Sequence, residues 1–82
     1  MHRINKPLYK LPRNSLLLDE RSEEIYYIVE KWDKDDNCYI CSEWKLYRDL
    51  GKFVATGNVH KYKPNQLIGM QLVRKGLWGD ED

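Results

Sequence analysis

Two cysteines in a Cys-x-x-Cys pair, Cys38 and Cys41, are the first residues of this chain whose types and spacing can do chemistry. Such a pair can supply half of a tetrahedral zinc site, or cycle between dithiol and disulfide. Zinc needs two further ligands, and the chain offers only His2 and His60, each alone in sequence. A redox pair needs a helix N-terminus to lower a thiol pKa, whereas Cys38-Tyr39-Ile40-Cys41 lies among strand formers. Residues three apart in a strand face opposite sides of the sheet. The expectation is one packed cysteine and one surface cysteine, with no metal and no other cofactor.

Asp33-x-Asp35-x-Asn37 copies the start of a calcium-binding EF-hand loop. The glycine of that loop falls on Cys38 and its bidentate glutamate on Trp44, with Glu43 one residue early. An EF-hand also needs flanking helices. A solvated hairpin turn is the better reading. No Ser, His and Asp set has recognisable nucleophile spacing, and there is no glycine-rich phosphate loop. His60 reads as a surface or edge histidine, and Glu23 and Glu24 as solvated neighbours. These residues point away from an enzyme.

Binding chemistry remains. Lys45, Tyr47, Arg48, Lys52, His60, Lys61, Tyr62 and Lys63 mix bases with aromatic rings. That mixture suits single-stranded DNA or RNA, through phosphate neutralisation and base stacking. A net charge of only +1 weakens this reading. Tyr26, Tyr27, Trp32, Trp44 and Tyr47 are more rings than so small a core readily absorbs. Some should be partly exposed, and exposed aromatics anchor protein interfaces. The candidate binding residues are therefore Tyr26, Trp32, Trp44, Tyr47, Arg48, Lys52, His60, Lys61, Tyr62 and Lys63. A strand edge offers a further route, to self-association or strand addition.

Charge is sorted into blocks along the chain. Residues 1–13 carry four bases and no acid; residues 14–43 carry nine acids against three bases. Residues 44–76 carry seven bases against Asp49, and Asp80, Glu81 and Asp82 close the chain. Kept apart in a fold, these blocks would give a two-signed surface that steers partners.

At 82 residues the chain suits one domain and one core, hiding about 60–65% of the surface its unfolded form exposes. Charged residues make up 33% and apolar residues 41%, as in a soluble globule. No apolar run suits a membrane span or a signal peptide, so the cytoplasm is the expected location. Residues 1–13, with Pro7 and Pro12, read as an extended basic arm, 14–76 as the folded domain and 77–82 as an acidic tail, with Trp78 expected to fold back.

The elements that must position these residues read as strands. Leu16–Leu18 is a short apolar run, ended by a charged loop over Asp19–Glu24. Ile25–Trp32 is rich in β-branched and aromatic residues. Ile25, Ile28, Val29 and Trp32 also fit a helical spacing, but the composition and the following turn favour a strand. Cys38–Tyr47 alternates, Arg48–Lys52 turns on Gly51, and Phe53–His60 alternates again. Gly57 within that last run signals a bulge or bend. Pro64–Leu67 reads as a 3₁₀ turn before a final strand at Met70–Arg74.

Five short strands, one long charged loop, two tight hairpins and a 3₁₀ link resemble the small SH3-like barrel over Ser15–Lys75. The resemblance implies an all-β, five-stranded barrel. Peptide-binding SH3 domains carry an Ala-Leu-Tyr-Asp-Tyr-like stretch, a tandem Trp pair and a tyrosine in the 3₁₀ turn. Here stand Leu16-Leu17-Leu18-Asp19, a lone Trp44 and Leu67, so polyproline binding is not implied. In size the chain also resembles small phage or mobile-element proteins that bind a host factor, which implies a regulator or inhibitor. The expectation is a non-enzymatic module that docks on a larger protein.

Overall fold

The computed structural model describes residues 2–76. Six antiparallel strands form one sheet: β1 (His2–Arg3), β2 (Leu16–Leu18), β3 (Ile25–Asp33), β4 (Cys38–Tyr47), β5 (Lys52–Tyr62) and β6 (Gln71–Arg74). Their spatial order is β1-β6-β2-β3-β4-β5. A 3₁₀ turn, Pro64–Leu67, leads into β6. The five strands expected from sequence are all present, and β1 adds a two-residue edge. Ile25–Asp33 is strand throughout, so its helical spacing is incidental. The sheet is not a closed barrel: β1 lies at one edge and β5 at the other.

Local chemistry sets the turns. The Asp33 carboxylate accepts the Asp35 backbone N–H at 3.0 Å, and Asn37 takes a left-handed φ of 52°, an Asx turn that short polar side chains favour. The β4–β5 register shifts between Ser42 and Trp44: Ser42 faces Val59 while Trp44 faces Ala55. Thr56, Gly57 and Asn58 thus share the single residue Glu43, and Gly57 takes a φ of +91° at the centre of the bulge, where a Cβ would strain the backbone.

Direct cross-strand partners share a face of the sheet. The inner face carries Tyr27, Val29, Tyr39 and Cys41, which form the core with Ile4, Leu11, Leu17 and Leu67. The expected N-terminal arm contributes to that core: Ile4 is 2% exposed, and its N–H donates to Met70 O at 2.8 Å. The Tyr39 hydroxyl donates to Leu8 O at 2.6 Å and accepts from Leu11 N–H at 3.1 Å, so one buried ring holds two points of the arm. Buried Ser15 donates to Pro12 O and accepts from Gly76 N–H. The expected acidic tail and Trp78 lie outside the described residues. No helix among the described residues is long and apolar enough to cross a membrane.

Candidate functional site

The ten candidate residues do not form one site. Tyr26 and Trp44 are direct partners across β3 and β4, on the outer face of the sheet. Phe53 joins them from β5, its ring 4.9 Å from Tyr26 and 6.1 Å from Trp44, both edge-on, the geometry that ring quadrupoles favour. By register, Ile28, Ile40, Leu46, Val59, Leu16 and Leu18 line the same face, and none of them is fully buried. Trp44 is fixed within it: its Nε1–H donates to Ser42 Oγ at 2.9 Å, and that hydroxyl donates to Glu30 at 2.6 Å. Charge stands at the ends of this apolar stripe. Arg48 donates to Glu23 O at one end, and Lys61 meets Asp33 and Asp36 at the other.

Tyr47, Arg48 and Lys52 sit at the tip of the β4–β5 hairpin. The Lys45 ammonium lies over the Tyr47 ring, 5.1 Å from its centroid. Trp32 lies on the inner face, edge-on to Tyr39 at 4.7 Å, and walls a shallow cleft with Pro7, Tyr9 and Pro64. Lys63 precedes the 3₁₀ turn and donates its backbone N–H to Gln66.

His60 and Tyr62 turn inward rather than outward. Their rings stack at 5.5 Å, and both meet Tyr27 edge-on, at 5.3 and 5.2 Å. Burial is the main cause that pushes the hydroxyls of Tyr27 and Tyr62 above their usual range. His60 Nε2 lies 2.7 Å from Glu43 Oε1. Thr56 and Asn58 donate to Glu43 Oε2 at 2.8 and 3.1 Å. The His60, Thr56 and Asn58 hydrogen bonds, in that order, hold the Glu43 carboxyl below its ordinary value. Glu43 is therefore the fastener of the bulge.

Both cysteines are buried, 3% exposed for Cys38 and 0% for Cys41, which corrects the expectation of one surface thiol. Burial, with Glu30 and Cys38 nearby, pushes the Cys41 thiol up to about 12. The Cys38 sulfur and the Asp33 and Asp36 carboxylates lie within 4.8 Å of one another. The Lys61 ammonium joins them, 2.9 Å from Asp36 and 3.6 Å from Asp33, and supplies the cation that this corner would otherwise attract. The charge blocks likewise meet at two places. Antiparallel pairing lays Lys61 beside the acidic turn, and Arg3 pairs with Glu20.

Neither the curated proteins nor the solved structures contain a match to this chain, and no family model matches it. Function is therefore argued from the surface itself. The sequence pointed to Tyr26 and Trp44 but not to Phe53 and Val59 as their companions on the outer face, nor to Glu43 as the partner of His60. Phe53 read only as one more strand residue, and Glu43 only as one more acid. The one available signal was Gly57, which marked a bulge without showing which residue it enclosed.

Proposed function

We propose that this chain is a non-enzymatic interaction module, an open variant of the SH3-like barrel, that docks its outer sheet face on a larger protein. The observation that carries this reading is the Tyr26–Trp44–Phe53 cluster on the outer face, in which Phe53 is exposed and Tyr26 and Trp44 are partly exposed. Among the described residues, Phe53 and Val59 are the large apolar side chains of this face that stand exposed, at 40% and 65%. An apolar centre with a charged rim is the anatomy of a protein interface. Rigid rings anchor such surfaces at little entropic cost. Occupying a surface of its partner is how such a module would regulate or inhibit it, and a cytoplasmic setting accords with two reduced, buried thiols.

The nucleic-acid alternative has less support. Of its basic residues, Lys61 is held by Asp33 and Asp36 and His60 by Glu43, which leaves mainly the hairpin tip to meet phosphates. Affinity capture with tagged wild-type chain and with Phe53→Ala tests the reading. A near-stoichiometric protein should be retained by the first and lost by the second. Retention of a random oligonucleotide that falls steeply with salt, with no protein captured, would favour the alternative.

A further inference from the structure

The outer edge of β5 pairs with no described strand. From Phe53 to Val59 it carries neither an acid, a lysine, an arginine nor a proline, the side chains that commonly keep sheet edges from pairing. Phe53, Val54 and Val59 are 40%, 44% and 65% exposed. The bulge centred on Gly57 interrupts the strand and leaves Lys52–Thr56 as the stretch open to a new ladder.

We propose that a second copy of this chain pairs antiparallel with this edge, about a twofold axis at Val54. A twofold of this kind makes each residue meet one from the same face of the sheet. Val54 then faces Val54 of the second copy, Phe53 faces its Ala55, and Lys52 faces its Thr56. The Thr56 hydroxyl is bound to the Glu43 carboxylate. Each Lys52, which makes no ion pair with a described residue, therefore arrives beside a Glu43 of the other copy, twice per dimer.

Neighbouring registers lack this match. An axis at Phe53 sets Lys52 against Val54. An axis at Ala55 drives Phe53 onto Gly57 in the bulge. Pairing at Val54 alone opposes apolar with apolar and cation with acid. It also joins two outer faces into one, with Phe53 of each copy beside Ala55 of the other. The pairing stands whether or not that face binds another protein.

Sedimentation of the purified chain from low-micromolar to near-millimolar concentration tests the proposal. The mass should rise from that of one chain towards that of two. Val54→Lys sets two ammonium groups against each other and should weaken the dimer by roughly tenfold or more. Val54→Cys should cross-link under mild oxidation, because the position faces itself, whereas Val59→Cys should not. Both positions are exposed, and circular dichroism checks that each variant folds. A single-chain mass at every concentration would overturn the proposal. So would a dimer that Val54→Lys leaves intact and Val54→Cys fails to cross-link faster than Val59→Cys.

Discussion

The two halves of β4 share one sheet and similar apolar content, yet only one is sealed. In the first half, Cys38, Tyr39 and Cys41 are buried, at 3%, 1% and 0% exposed. From Trp44 to Tyr47 no residue is fully buried, and the facing strand is exposed from Lys52 to Val59. The cover makes the difference. Residues Ile4–Leu11 and the 3₁₀ turn close the first half through Ile4, Leu11 and Leu67 and do not extend over the second. The boundary is the Glu43 knot. Backbone pairing carries the sheet past its core, and the apolar side chains beyond that point lie outside it. Substitutions in the sealed half should cost folding, and those in the open half should cost association.

The largest expected effect is in the sealed half. Leu17→Ala empties a fully buried site and should lower unfolding free energy by about 2–5 kcal/mol in urea titration. Tyr39→Phe strips two hydrogen bonds from the arm and leaves a buried N–H and a carbonyl without that partner, at about 1–3 kcal/mol. If Tyr39→Phe proved silent, the arm would not be held as described.

The boundary itself titrates. Because the folded state holds the Glu43 carboxyl below its ordinary value, Glu43 adds stability above the usual glutamate range and loses it as pH falls through the folded value. Glu43→Gln keeps the shape and removes that titration. Its unfolding midpoint should therefore depend less on pH across the acid range than that of the wild type. Parallel acid curves would show that Glu43 does not fasten the bulge. A smaller effect concerns Cys41. With its thiol pushed up to about 12, it should resist iodoacetamide in the native protein at mildly alkaline pH and label only on unfolding. Rapid native labelling would show the sealed half to be open.

Much of this contrast was legible in the chain. Alternation, turn residues and β-branched composition gave all five main strands, the Asx turn at Asp33–Asn37, the bulge at Gly57 and the 3₁₀ turn at Pro64. These are local signals, and local signals survive folding here. Whether the sheet closes is not local, and neither is the face on which His60 and Tyr62 lie. A strand's period shows which residues share a side without showing which side is covered. The charge blocks misled for the same reason: antiparallel pairing places residues distant in sequence together, so Lys61 meets the acidic turn it was expected to oppose. One cysteine was expected at the surface because residues three apart face opposite sides of a strand, yet Cys38, opposite in side to Cys41, is buried where Asp33, Asp36 and Lys61 gather beside it.

The smallest expected change in stability is also the most telling. Phe53→Ala removes a part-exposed ring and its two edge-on contacts from the open half and should lower unfolding free energy by about 1 kcal/mol. The decisive measurement is its urea titration alongside affinity capture with the same variant. Unfolding weakened far less than in Leu17→Ala, together with loss of the captured protein, is the expected result. Unfolding as weak as that of Leu17→Ala, or full capture by the ringless variant, would mean that the outer face serves the fold rather than a partner.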